Sequence, residues 1–268
     1  MDEHGIDLQI DRPHTARMYD YYLGGRTNFT ADREAVGRVM AVFPAVLVAA
    51  RANRDFMHRS TRLLAERGLR QFLDIGTGIP TSPNLHEVAQ QVAPEARVIY
   101  ADNDPIVLAH ARALLRSGPQ GQTAYMTADL RDPRSILSSR VLADTFDLTR
   151  PVALSLNAVL HFVPDSDGAH SIVETLKQAL PSGSALVISH GTGDFNKLEA
   201  DRTAHVYRSS GTAAQSRSRA EFARFFEGWD LVEPGIAPTH RWRPEESDHV
   251  SDISDAEASL YGAVAFKP

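Results

Sequence analysis

The stretch FLDIGTGIPT, Phe72–Thr81, decides the fold. It starts as a short apolar run, with Asp74 set into it, and breaks at Gly76. An apolar run of that length, closed by glycine, fits a strand of a parallel sheet buried on both faces. Gly76 and Gly78 then let the chain turn sharply and let a ligand approach the backbone. A dinucleotide fingerprint calls for a third glycine next, and Pro80 stands in that neighbourhood instead.

The same rhythm continues downstream. ARVIYAD (96–102), TAYMTAD (123–129), PVALSLN (151–157) and SALVISH (184–190) read as further strands. SPNLHEVAQQVA (82–93), DPIVLAHARALLRS (104–117) and DGAHSIVETLKQAL (167–180) read as the helices between them, the first with Ser82 as N-cap and Pro83 at its first position. Strands separated by helices imply right-handed crossovers and an α/β fold with a mostly parallel sheet. After His190 a polar, helix-like region runs to RAEFARFFEG (219–228). Two strand candidates follow, WDLVEP (229–234) and ASLYGAVAFK (258–267), the last expected to be antiparallel at the sheet edge. Ahead of the first strand, residues from Ala31 to about Gly68 carry a helical pattern interrupted at Pro44. The reading is one domain, with residues 1–68 as a helical cap on a Rossmann-like body at 69–268.

Composition narrows the function. The chain has 268 residues, 43% of them hydrophobic and 23% charged, which suits a globular protein with a substantial core. Its net charge of -6 offers no electrostatic footprint for nucleic acid. It has no cysteine, so disulfides, thiolate nucleophiles and cysteine-held zinc are excluded. No histidine or carboxylate spacing suggests a metal site. The acidic start MDEHGIDLQIDRPH is no secretion signal, and AVFPAVLVAA (41–50) is too short for a membrane span. The expectation is a cytoplasmic protein.

Ligands of open parallel sheets bind at the carboxyl ends of the strands. Asp74, Gly76, Thr77 and Gly78 stand at the end of the first strand, and Asp102 at the end of the next. Asp102 follows Gly78 at a spacing near the roughly 20 residues of a carboxylate that accepts both hydroxyl protons of a ribose. Asp129 ends the third strand, placed either to accept from an adenine amino group or to cap the helix near DPRSIL (132–137). Pro80 and Pro83 have no amide hydrogen to offer a pyrophosphate. A ligand with ribose and adenine but no phosphate fits better, and S-adenosylmethionine (SAM) is such a ligand, with Asp74 near its ammonium.

The motifs FLDIGTG, VIYADND, YMTADLRDP and LSLNAVLHFV resemble the successive strand ends of class I SAM-dependent methyltransferases. The amino-terminal PHTARMYDYYLGGRTNFTADR (13–33) and GIPTSPNLHEVAQ (78–90) resemble one family within them, found mainly in actinobacteria and formerly a domain of unknown function. That family opens with A-R-x-Y-D-Y-x-L-G-G-K-x-N-F-x-A-D-R, and Arg26–Thr27 depart from it after the glycines. The resemblance runs through EPGIAPTHRWRPE (233–245) to the last strand. It implies a seven-stranded sheet with an antiparallel end, helices on both faces, and SAM over Gly76 and Gly78 with its ribose on Asp102. It also implies Asn103 near the adenine, with Asp129 and Leu130 along its edge. Asn157 stands where many methyltransferases carry an acid, which argues against a catalytic base there.

The amino terminus has two readings. ARMYDYYLGGRTNF (16–29) is either a helix stopped by Gly24 and Gly25, or a lid over SAM. As a lid it would bring Arg17 or Arg26 to the cofactor carboxylate and Tyr21 or Tyr22 to the sulfonium. His161 and His190 each follow an apolar strand and are either structural or candidate bases; Asp194 shares that ambiguity. The charge-rich RWRPEESDHVSD (241–252) reads as a solvated loop. The leading function is a SAM-dependent methyltransferase acting on a small-molecule oxygen or nitrogen acceptor. The alternatives are a non-catalytic SAM-binding protein and an NAD-dependent oxidoreductase.

Overall fold

The computed structural model describes residues 8–114, 117–245 and 252–268. Three helices come first, α1 (Thr15–Tyr22), α2 (Thr30–Val42) and α3 (Val46–Glu66), with the α2–α3 break falling at Phe43–Ala45 around Pro44. Then β1 (Gln71–Ile75), α4 (Leu85–Val92), β2 (Arg97–Asp102), α5 (Pro105–Leu114), β3 (Gln122–Thr127), α6 (Pro133–Leu137), α7 (Arg140–Thr145), β4 (Ala153–Asn157), α8 (Ala169–Ala179) and β5 (Ala185–Gly191) alternate as expected. The chain closes with α9 (Lys197–Ser209), α10 (Arg219–Ala223), β6 (Asp230–Leu231), β7 (Ala237–Pro238), α11 (Asp255–Ala258) and β8 (Leu260–Phe266).

The sheet runs β3-β2-β1-β4-β5-β8-β6, and the two-residue β7 pairs with β8 off that path. The sheet thus has eight strands, one more than the seven the resemblance implies, the addition being the short β7. β1 to β5 are parallel, and β8 is antiparallel to β5. One placement differs from expectation: β8 is an inner strand, because β6 pairs with its far side and takes the edge.

Alternation along each strand divides the core into two layers. Leu73, Ile75, Leu154, Leu156, Leu186 and Ile188 face one side, where α6, α7, α8 and α10 supply Ile136, Leu142, Val173 and Phe222. Phe72, Val98, Ala153, Val187 and Val264 face the other, under Phe56 and Leu64 of α3 and Leu85 of α4. Each large aliphatic side chain so buried contributes about 1.5–3 kcal/mol. The amino-terminal helices are continuous with this body: α3 lies on the sheet, while α1 and α2 pack on the first turns of α3 through Met18, Tyr22, Val36 and Val39.

Two local expectations give way. The N-cap of α4 is Asn84, not Ser82, and Glu87 accepts the Asn84 amide in a capping box, so the helix starts after Pro83. The segment read as a solvated loop buries Trp242 completely, with its ring edge-on to Phe56 at 5.2 Å between centroids. Arg59 donates to the carbonyls of Trp242 and Thr239, which ties that segment to α3. Residues 246–251 of that segment lie outside the described residues, as do residues 1–7 of the cap and 115–116 of the helix read at 104–117. No single described helix is long and apolar enough to cross a membrane.

Candidate functional site

A crevice of about 400 Å³ opens at the carboxyl ends of β1, β2, β3 and β4, under α1, α3 and α9. Asp74, Gly76, Thr77, Gly78, Asp102, Asn103, Asp129, Leu130 and Asn157 all line it, together with Tyr22 and His161. The strands bring them together because parallel order puts every strand's last residue on one edge.

The glycine turn is shaped by neighbours on each side. Gly76 has φ +76° and donates its amide to the Ala101 carbonyl of β2; a side chain there would collide with Val159. Gly78 has φ +70°, and the space its missing side chain would fill is open. Its amide donates 2.8 Å to Asp102 Oδ2, while the Asp104 amide donates 2.9 Å to Asp102 Oδ1. Two amides therefore orient the Asp102 carboxylate, and each oxygen keeps a second lone pair for a ligand. Burial raises the Asp102 carboxyl above its ordinary value, opposed by these two amides. Thr77 turns its hydroxyl back to the Asp74 carbonyl.

Asp74 is nearly buried, and burial pushes its carboxyl up to about 6, against the pull of Ser155, the Arg54 guanidinium and Thr77. Arg54 of α3 lines the same crevice. Its Nη2 donates to the carbonyls of Thr81 and Pro83, while its Nε is buried with no partner. Asn157 Nδ2 donates to Ser155, and its Oδ1 is likewise buried and unpartnered. A buried donor and a buried acceptor without partners are costly, about 1–3 kcal/mol each, unless a ligand meets them. The Asp129 carboxylate accepts its own turn's Arg131 amide, and Asp132 rather than Asp129 caps α6.

The amino-terminal residues fall on both sides of the line between site and scaffold. Arg17 is fully buried; its Nε donates 2.9 Å to Asp104, and its other nitrogens donate to the carbonyls of Leu8 and Gln9. It therefore clamps α1 to the loop that carries Asp102, where the sequence had suggested a carboxylate ligand. Arg26 is exposed. Gly24 and Gly25 end α1, their amides returning to the carbonyls of Tyr21 and Asp20, and a side chain on Gly25 would overlap the Asp20 carboxylate. Tyr22 faces the crevice with its hydroxyl 3.0 Å from that of Tyr207; Tyr21 is half-buried in the helical packing.

The two histidines separate. His161 lines the crevice, and its Nδ1 accepts the Gly191 amide at 3.4 Å. Burial, with Arg217 nearby, lowers it to about 4, so it is neutral at physiological pH. His190 lies beneath it in β5 and is 1% exposed. Its Nδ1 donates to the Gly191 carbonyl at 2.7 Å, and its Nε2 accepts from Arg217 at 2.6 Å. Burial, then His161 and Arg217, hold it well below the ordinary range. Asp194 accepts from the Arg219 amide and from Tyr261, and so ties α10 to β8. Among the described residues, no group of three histidines or carboxylates could hold a metal.

The profile of the S-adenosyl methyltransferase family matches residues 1–268. The chain belongs to that family. A DUF574 family protein from Streptomyces avermitilis is 51% identical, covers 98% of this chain with 100% of its own, and superposes with a TM-score of 0.95. A protein from Thermobifida fusca is 37% identical over 97% of both chains, with a TM-score of 0.89. No curated protein matches the chain in sequence. The enzyme is thus a SAM-dependent methyltransferase, and SAM is its cofactor. Arg54, Asn53, Glu199, Thr203 and Tyr207 line the crevice without having been singled out from sequence. They lie on helices, where a polar residue facing a crevice has the same pattern as one facing solvent.

Proposed function

We propose that this methyltransferase acts on a small-molecule oxygen or nitrogen acceptor, with SAM lying over Gly76 and Gly78. The carrying observation is the Asp102 carboxylate, held by two amides at the open end of β2 with lone pairs to spare. It takes the ribose hydroxyls. Asn103, Asp129 and Leu130 flank the adenine. Asp74 and Asn157 Oδ1 accept from the ammonium, and Arg54 Nε donates to the carboxylate, which gives both orphaned atoms a partner. SAM supplies a methyl group already activated by its sulfonium, so the chain's task is alignment and exclusion of water. Neutral His161 stands beside the crevice with its Nδ1 taken up by the Gly191 amide, so its Nε2 carries the hydrogen and is placed to donate to a ligand rather than to take the acceptor's proton. The crevice's modest volume of about 400 Å³ and the chain's net charge of -6 favour a small acceptor over nucleic acid, and the protein is read as cytoplasmic.

Titration calorimetry with SAM checks this directly. Asp102→Ala should weaken SAM by about 1–3 kcal/mol, the loss of a charged hydrogen-bonding partner. A folded wild-type protein that binds no SAM would sink the reading.

Asp74 adds a pH signature. Its carboxyl titrates at about 6 in the free protein, and an ammonium partner favours the ionised form. Binding at pH 6 should therefore release protons, and SAM affinity should fall as pH drops through that value. Calorimetry in two buffers of different ionisation enthalpy measures the release; no proton release near pH 6 would remove Asp74 from the ammonium site.

A further inference from the structure

We propose that the acceptor is an apolar, ring-bearing amine, drawn into the crevice by the carboxylate of Glu199. The inference rests on the cofactor lying over β1 and β2, which leaves the part of the crevice under α1, α3 and α9 for the acceptor.

That part is walled by rings. Tyr19, Tyr22, Phe43, Phe162 and Tyr207 line it. The tyrosine hydroxyls are already engaged: Tyr22 with Tyr207, and Tyr19 with the Ala50 carbonyl and Asn53. Burial raises all three phenols, so they remain neutral and offer ring faces rather than charge. Neutral aromatic walls favour a flat apolar body, and their faces attract a cation.

The buried side-chain atoms left without a partner on this side can each accept a hydrogen bond, Thr203 Oγ1 being able to donate as well, and none is a cation. Asn53 is 3% exposed, and its Oδ1 has no partner. Thr203 Oγ1 is buried without a partner. Glu199 stands in the first turn of α9 and lines the crevice; among the described residues its carboxylate has neither a hydrogen bond nor an ion pair, and burial raises it. The positive side chains of the crevice, Arg54 and Arg131, belong to its cofactor half. Arg54 holds the Thr81 and Pro83 carbonyls of the glycine loop, and Arg131 pairs with Asp129. A phosphate or carboxylate on the acceptor would thus be buried without a cation to meet it, a heavy penalty. An ammonium meets Glu199, Asn53 Oδ1 and the ring faces.

The chemistry balances. The bound ammonium gives one proton to Glu199, which frees the nitrogen lone pair. The nitrogen forms a bond to the methyl carbon as the carbon–sulfur bond breaks, with its electron pair staying on sulfur. The products are the N-methylated ammonium and neutral S-adenosylhomocysteine (SAH), and Glu199 passes its proton to water.

Binding in the presence of saturating SAH tests this without requiring turnover. The probes are matched pairs, tryptamine against indole-3-acetate and tyramine against 4-hydroxyphenylacetate, measured by calorimetry on wild type and Glu199→Gln. The expected result is binding of the amines with at least a tenfold preference over their carboxylate partners. Glu199→Gln should weaken the amines about tenfold or more and leave SAH affinity unchanged. Carboxylates binding as well as amines, no amine binding to the SAH complex, or amines unaffected by Glu199→Gln would each overturn the proposal. Failure of SAH itself to bind wild type would instead overturn the cofactor placement, so the two failures are told apart.

Discussion

Replacing Arg217 with alanine should lower the free energy of unfolding by about 3–5 kcal/mol, the range for breaking a buried charged network. The side chain has no solvent exposure. Its guanidinium donates to the Leu160 and Val163 carbonyls, to His190 Nε2 and to Asp165 Oδ1. It also lies over the ring of Phe225, 5.1 Å from its centroid. Removing it strands two carbonyls and an imidazole nitrogen beneath the crevice, at about 1–3 kcal/mol for each unpaired group. Asp165 behaves differently, because 41% of its side chain is exposed and in Asp165→Asn the amide oxygen can still accept from Arg217 Nε and Nη2. Asp165→Asn should therefore cost less than about 1 kcal/mol. Urea denaturation of both variants reads the contrast. Equal losses would mean that the surface ion pair, rather than the buried carbonyls, is what Arg217 serves. The crevice should feel the same change. Arg217 donates its amide to the Gly191 carbonyl, and neighbouring Gln215 donates its own to the His161 carbonyl, so this segment holds the wall that carries His161.

Arg217 shows where sequence reading stops. Its side-chain hydrogen-bond partners are distant along the chain, His190 27 residues away and Leu160, Val163 and Asp165 52–57 residues away, and in sequence it sits in the polar run SRSRAEF (216–222) that reads as surface. The parallel strands were legible because period-2 burial is local: Leu73 and Ile75 point one way and Phe72 the other, whatever the rest of the chain does. The strand-end acids were legible for the same reason, since parallel order alone delivers Asp74, Asp102 and Asp129 to one edge. The edge was not. WDLVEP (229–234) reads as a strand, but nothing local says that Asp230–Leu231 pairs outside β8 and so moves β8 inward. The histidines were indistinguishable because both follow apolar strands. The difference is that His190 is the last inward residue of β5, covered by Phe222 and Phe225, whereas His161 lies past the end of β4, on a turn that opens to the crevice. Arg17 was assigned a ligand from its place in a motif, and its partner Asp104 is visible only once α1 is docked.

Arg54→Met should raise the dissociation constant for SAM about thirtyfold to 150-fold, or about 2–3 kcal/mol at 1.4 kcal/mol per factor of ten. The guanidinium lies on the crevice wall with Nε unpartnered and its charge acting on Asp74. A carboxylate is the group that completes it. The rival account is that Arg54 only holds the glycine loop, through the carbonyls of Thr81 and Pro83. 5′-Methylthioadenosine separates the two, because it keeps the adenine, ribose and sulfur of SAM but lacks the amino-acid end. A carboxylate contact predicts that its affinity is nearly unchanged in the variant; a loop role predicts that both ligands weaken together. A second readout concerns pH. The positive charge of Arg54 opposes the burial that raises Asp74, so its removal should move the Asp74 carboxyl above 6. A raised carboxyl loses its charge earlier as pH falls, so the decline in SAM affinity should begin at higher pH in Arg54→Met than in wild type. An unmoved pH profile, with SAM and methylthioadenosine weakened equally, would return Arg54 to the scaffold and leave the cofactor carboxylate without a ligand on α3.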